Sequence, residues 1–406
     1  MGWLFAFIIL FLIFFYSRQI LSFLLHPRVD FYITIPDYSP EDSVVTLIGN
    51  HPAMGEWKEP GLTLRRLEEN VFHASFRVPA GTLLKYKLIR GAWECVEKDR
   101  NFNEVANRKV RVQQNIAINN TVANWGDFQG LIIPSTLTGN FKYHKKFTSK
   151  HLKNSRDIIV YLPPSYENEK NESVHYPVFY MHDGNNIFDR ATSFGGVEWE
   201  VDETTEKLIG EERLEEIIVV GIYNTPQRMF EYSPVPYEGY GGGGADLYAS
   251  FIIKELKPFI DKTYRTKKGR EDTAVMGSSM GGLVSLYLGF KYPEVFSKIG
   301  AMSSSLWWGD GQIIKFIEQM KKVPELTIWL DIGSEEGGRS GRSKLTTMVR
   351  QTRHLRNVLV RKGFKLNKNL FYLEAAGEDH NEAAWSRRVH MPLLHFFGKK
   401  KGTKSH

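Results

Sequence analysis

The chain of 406 residues holds a single cysteine, Cys95. One thiol excludes an internal disulfide framework and any cysteine-rich metal site. Charge of one sign is nowhere concentrated except at the end. The formal net charge is +7, and the one dense basic run is the tail GKKKGTKSH, residues 398–406. Without a stripe of Lys and Arg interleaved with aromatics, no nucleic-acid partner is expected. Self-similarity at a solenoid period is absent too. Long hydrophobic runs are missing apart from the start, MGWLFAFIILFLIFFYSRQILSFLL, which shows no polar face before Ser17. Residues 1–27 are therefore expected to be a hydrophobic signal or membrane anchor, touching the membrane through residues 1–25 if uncleaved, with the body exported or anchored. The basic flank follows the segment rather than preceding it, which leaves orientation open.

The whole chain has 42% hydrophobic and 13% aromatic residues, enough for packed cores, at a length suited to two domains. Residues 28–125 carry short β-type runs such as RVDFYITIP, SVVTLIGN, VFHASFRVP and LLKYKLIRG between Pro/Gly/Asn turns. That spacing predicts a small all-β, immunoglobulin-like sandwich of antiparallel strands. Residues 126–140 read as a linker. In residues 141–398, near-continuous apolar strands such as YPVFYMHDG, EIIVVGIY and LTIWLDIGS alternate with amphipathic helices. The pattern predicts an α/β fold with a mostly parallel sheet covered on both faces. Residues 399–406 form a basic tail.

The chemistry-bearing stretch is TAVMGSSMGGLVSLYLGF, residues 273–290. Gly277, Ser279 and Gly281 satisfy G-x-S-x-G. Centring on Ser278 would place Met276 and Met280 where glycines are needed, so Ser279 is the candidate nucleophile. At the head of the following helix, the Met280 amide would face a developing oxyanion. In an α/β-hydrolase arrangement the acid and then the histidine follow the serine. His380 fits, on the loop GEDHNEAAW after the strand-like NLFYLEAAG. His354, His390 and His395 fall in helices and read as surface or packing residues. Asp331, Glu335 and Glu336 compete for the acid; Asp331 lies within a strand, Glu336 is preferred, and spacing alone leaves Glu335 open. In the loop YMHDGNNIFD, Asn185 after Gly184 is the second oxyanion donor expected. His182 and Asp183 lack partners at metal-ligand spacing, so neither metal nor cofactor is expected.

These motifs resemble the putative-esterase (esterase D-like) family of the α/β-hydrolase superfamily. The likeness is carried by HDGNNIFD, GYGGGGADLYASFIIKELKPFIDKTYRT, VMGSSMGGL, YPEVFSKIGAMSSSLWW, IGSEEG and GEDHNEAAW. The resemblance implies a serine esterase acting through an acyl-enzyme, with the acid on Glu336 where many members have Asp. The sandwich is similar to starch-binding modules of carbohydrate-binding module family 20, through VTLIGNHPAMGEW, PAGTLLKYKLIRGAWECVE and NRKVRV. That likeness implies a glycan site of Trp57, Lys87 and Trp93, two stacking rings and a polar contact. The combination points to an acyl or feruloyl ester on a carbohydrate. Alternatives are a siderophore (enterochelin-type) esterase, an acyltransferase, or a carbohydrate-binding protein with an inactive hydrolase domain.

Overall fold

The computed structural model describes residues 26–99, 102–127, 134–337 and 345–399. The chain divides into two compact units, Met1–Ile132 and Ile133–His406. The apolar segment 1–25, residues 128–133 of the linker and residues 400–406 of the tail lie outside the described residues. Among the described residues, no helix is long and apolar enough to cross a membrane.

In the first unit a four-stranded sheet runs in the order Arg65–Glu68, Val71–Arg77, Arg28–Thr34, Ile116–Thr121. It faces a second sheet centred on Thr82–Arg90 and Val45–Gly49. Alternation decides which side chains meet between them: Val29, Phe31 and Ile33 point inward from one sheet, and Leu84, Tyr86 and Leu88 from the other. One pairing departs from the antiparallel expectation. Arg28–Thr34 and Ile116–Thr121 run parallel, with Val29 opposite Ile116. The two strands are the first and last long ones of the unit, and the many intervening residues free them from hairpin geometry.

In the second unit eight strands form one sheet, numbered here within the unit: β1 Asn140–Ser149, β2 Asn154–Leu162, β3 Val178–His182, β4 Ile218–Ile222, β5 Thr273–Ser278, β6 Lys298–Met302, β7 Thr327–Gly333 and β8 Leu370–Ala375. Their order is β1-β2-β4-β3-β5-β6-β7-β8. Every neighbour pair from β4 to β8 is parallel; β2 is antiparallel to both β1 and β4. Both faces are covered. Along β3, Val178 and Tyr180 enter one core, and Phe179 and Met181 the other. The helix Met280–Lys291 is buried along nearly its whole length, from Met280 to Phe290, as expected of a helix that is apolar all round. The stretch ADLYASFIIKELKPFIDKTY forms two α-helical pieces, Ala245–Phe251 and Lys257–Thr263, joined by a π-turn over Ile252–Leu256.

Candidate active site

Parallel register brings the strand ends level. Ser278 on β5 pairs with Met302 on β6, and Met302 with Asp331 on β7. Gly333, at the end of β7, pairs with Ala375 at the end of β8. Residues just beyond these carboxyl ends therefore share one edge of the sheet, the usual location of ligand sites in open α/β sheets. Three non-glycine residues directly after adjacent strands take positive φ: Asp183 (55°) after β3, Ser279 (55°) after β5 and Ser303 (46°) after β6. Each such residue costs on the order of 1–3 kcal/mol, and such strain collects at functional sites.

Ser279 (φ 55°, ψ −119°) stands between β5 and the helix beginning at Met280. The turn is that sharp only because its flanks lack side chains. A Cβ on Gly277 would come within 2.8 Å of the Gly281 carbonyl carbon. The Ser279 hydroxyl hydrogen-bonds Ser305 Oγ at 3.1 Å, and the Ser305 amide donates to the Ser279 carbonyl at 2.9 Å. Being the first residue of the helix, Met280 has no intrahelical acceptor for its N–H.

His380 Nδ1 lies 2.8 Å from Glu336 Oε2. Glu336 is 1% exposed. A carboxylate so buried needs its remaining lone pairs filled, and they are. Oε1 accepts from the Gly333 amide at 2.7 Å and from Ser303 Oγ at 2.6 Å, with the Arg388 guanidinium at 3.4 Å. Ser303 Oγ in turn accepts from Trp385 Nε1 (3.0 Å) and Arg388 (2.6 Å). Arg388 also reaches Asp331 at 3.1 Å, and the Trp329 indole donates to the same carboxylate at 2.7 Å. Burial pushes the Asp331 carboxyl above its ordinary range, against the pull of Arg388. Asp331 is thus the counter-ion of Arg388, one step removed from the imidazole. The Trp385 ring stands edge-on to His380, centroids 5.0 Å apart at 87°. Sequence reasoning missed Ser303, Trp385 and Arg388; the serine run of AMSSSLWW was visible, but nothing local tied it to a distant arginine.

The loop after β3 packs beneath the serine helix. A Cβ on Gly281 would sit 3.3 Å from His182 Cβ and 3.4 Å from Asp183 Oδ2. Asp183 receives a two-pronged bond from Arg228, both contacts at 2.7 Å, plus the Asn224 amide at 2.8 Å. Burial opposes its ionisation, yet Arg228 and Asn224 hold its carboxyl below the usual range. His182 bonds the Tyr248 hydroxyl at 2.9 Å, and burial drives its imidazole down to about 3, so it is neutral. These two residues are structural supports rather than half of a metal site. Asn185 occupies a 3-10 turn over Gly184–Asn186, and its side chain spans Asn186 and the Asn224 amide. Gly184 is required: a Cβ there would meet the Gly221 carbonyl carbon at 2.4 Å. His354 is exposed near Glu318, and His395 is half-buried in the last helix, its imidazole pushed down to about 4 by burial.

Beside Ser305 stands an aromatic group. Tyr237 and Tyr240 stack at 5.7 Å and 6°, with Trp307 at 6.1 and 5.5 Å from them and Trp308 behind.

In the first unit, Trp57 follows two residues that share its positive φ, Gly55 and Glu56. The Trp93 amide donates to Glu59 at 2.8 Å, which ties the two tryptophan segments together. Trp93 rests on Ile48, Ile89 and Val96 on the outer face of the sheet, where Ile48 pairs with Lys87. A Lys87 free to meet sugar hydroxyls is not what the structure holds. The residue is 6% exposed and ion-paired with Glu104, because an ammonium on a face this covered needs a counter-charge.

Residues 28–122 match the starch binding domain family. Ferri-bacillibactin esterase BesA of Bacillus subtilis is 27% identical over 220 residues, 50% of this chain and 73% of that protein. An endo-1,4-beta-xylanase/feruloyl esterase of Xylanibacter ruminicola is 28% identical over 163 residues, 39% of this chain and 21% of that one. The crystal structure of the enterobactin esterase FES from Shigella flexneri superimposes with a TM-score of 0.55 at 18% identity, covering 90% of this chain and 92% of that chain; it shares the fold. Residues 149–395, more than half of the chain, match the Putative esterase family; the chain belongs to that family and is a serine-type carboxylic ester hydrolase.

Proposed function

We propose that Ser279 is the nucleophile, His380 its base and Glu336 the acid that orients the imidazole, with the Met280 and Asn185 amides as oxyanion donors. The observation that carries this reading is the His380–Glu336 bond. With Nδ1–H given to a buried carboxylate, Nε2 is left as the atom that exchanges protons. Ser279 Oγ leaves Ser305, passes its proton to Nε2 and bonds the ester carbonyl carbon, while the carbonyl oxygen takes the negative charge against the two amides. Collapse expels the alcohol, which takes the proton from Nε2. Water then repeats the sequence on the acyl-enzyme and frees the acid and Ser279.

The substrate is an aromatic acyl ester on a carbohydrate. The Tyr237, Tyr240 and Trp307 rings, grouped with Trp308 whose amide bonds the Ser305 carbonyl, offer apolar faces to a planar acyl group, and the starch-binding likeness of the first unit supplies the glycan. The likeness to BesA favours a second reading, a siderophore ester. Against it, the described cations around the site are committed to carboxylates: Arg228 to Asp183, Arg388 to Asp331 and Glu336, Arg387 to Glu378. A polyanionic catecholate would have to compete with them.

Hydrolysis by the full chain of a feruloylated oligosaccharide, a cyclic catecholate trilactone and p-nitrophenyl acetate tests both. Preference for the first supports the main reading and preference for the trilactone replaces it. Unchanged turnover in Ser279→Ala would remove the nucleophile assignment.

A further inference from the structure

Three carboxylates outside the catalytic site converge where the chain enters the second unit. Glu198 precedes the helix Val201–Gly210, and Asp202 and Glu203 lie in its first turn. One oxygen from each lies within 4.8 Å of the other two. Glu198 is 5% exposed and Asp202 fully buried. Their outer oxygens are occupied: Thr136 Oγ1 donates to Glu198 Oε1, and the Thr138 amide to Asp202 Oδ2 at 2.7 Å. Among the described residues, the opposite oxygens, Glu198 Oε2, Asp202 Oδ1 and Glu203 Oε2, meet no donor from outside the cluster, and the Asp202 and Glu203 carboxyls approach each other directly. Thr205 Oγ1, fully buried three residues beyond Asp202, has no hydrogen-bond partner among them. Buried carboxylate oxygens do not stay unpaired; they are hydrogen-bonded, ion-paired or bound to a metal.

We infer that Glu198, Asp202 and Glu203 form a calcium site that fastens the Thr136–Thr138 segment to the helix Val201–Gly210. The donors are all hard oxygens, which suits Ca²⁺ or Mg²⁺ rather than a transition metal. Three carboxylates in a buried setting favour Ca²⁺, since Mg²⁺ usually keeps several waters and takes one or two carboxylates. Separations under 4.8 Å suit oxygens sharing one ion, because ligands about 2.3–2.6 Å from Ca²⁺ lie at most roughly 5 Å apart. Without a cation the three negative charges oppose one another. The site also touches the catalytic wiring. Trp199, between Glu198 and the helix, packs on Trp385 with centroids 5.5 Å apart, and Ser386 bonds Glu200 at 3.2 Å.

The test is thermal unfolding of the full chain in detergent after EDTA treatment, titrated with CaCl2 or MgCl2, beside calorimetric binding of each cation. The expected result is a saturable rise of Tm with CaCl2, about 4 °C or more at saturation, and one bound Ca²⁺ per chain. In Asp202→Asn the rise disappears while the EDTA-treated protein unfolds no earlier than the parent, because one carboxyl of a crowded buried group has been replaced by a neutral amide of the same shape. Glu198→Gln serves the same purpose if Asp202→Asn does not fold, with p-nitrophenyl acetate turnover as the check on folding. No binding and no shift with either cation, or a shift that survives both substitutions, would overturn the site. A response to Mg²⁺ but not Ca²⁺ would overturn the choice of ion.

Discussion

The two units hold the residues singled out as candidates for catalysis and for glycan binding in opposite ways. In the hydrolase unit, Ser279, Glu336 and His380 follow three different strands, and each is fixed by backbone or buried partners: a φ of 55° at Ser279, four hydrogen-bonding groups on Glu336, an edge-on Trp385 against His380. In the sandwich unit, Trp57 and Trp93 are only partly buried, held through a loop bond to Glu59, and Lys87 is drawn into the fold by Glu104. Catalysis requires groups set to a fraction of an ångström. Stacking a sugar ring tolerates looser placement. The difference in how firmly these side chains are bonded in place is what the two proposed chemistries would call for.

Substitutions that should affect one unit and spare the other test this contrast. The largest effect is expected from Ser279→Ala, which lowers kcat roughly 10⁴-fold or more; pull-down on insoluble starch remains as in the parent. A parallel loss of starch retention would break the separation. Next comes Asp183→Asn, expected to cost about 1–3 kcal/mol at neutral pH, measured by urea unfolding. Because the folded-state carboxyl is held below its ordinary value, its stabilisation is present above about pH 4 and is lost as the pH falls through the folded value. The substituted protein should therefore show a flatter stability profile at the acid end.

Smaller effects sharpen the comparison. Ser303→Ala leaves a lone pair of buried Glu336 without its donor and should lower kcat about tenfold with little change in KM; a change in KM alone would give Ser303 a substrate contact instead. Trp93→Ala should weaken glucan affinity roughly tenfold while p-nitrophenyl acetate turnover is unaltered. Smallest of all, Trp307→Ala should raise KM a few-fold for feruloyl esters and leave acetyl esters unchanged, measured as a ratio of kcat/KM values.

Much of this was legible in the sequence, for local reasons. The glycines of G-x-S-x-G announce the turn because their spacing matches the approach of Gly277 to Gly281. Alternation from apolar strand to helix gave the parallel sheet, and the loop after the last strand gave His380. Glu336, preferred over Glu335 for the acid, lies 2.8 Å from His380 Nδ1. What was not legible depends on distant segments meeting. Arg388 and Ser303 are far apart in the chain, and nothing in GAMSSS or SRRVHM indicates that both bond the buried carboxylates of Glu336 and Asp331. The parallel pairing of Arg28–Thr34 with Ile116–Thr121 has the same origin, since strand polarity is not written in alternation. Lys87 looked like a sugar donor because its counter-ion, Glu104, sits on a separate segment.

Arg388 has one more consequence. The strand, turn and helix that present Ser279 are complete by residue 291, whereas His380, Trp385 and Arg388 are added about a hundred residues later. On the proposed mechanism, a chain emerging from the ribosome carries its nucleophile before its proton acceptor and its acid before the arginine that pairs with it, and hydrolysis begins only when the C-terminal segment arrives and docks. If His380 is the base as proposed, loss of the chain from residue 380 onward would silence the enzyme while leaving Ser279 untouched.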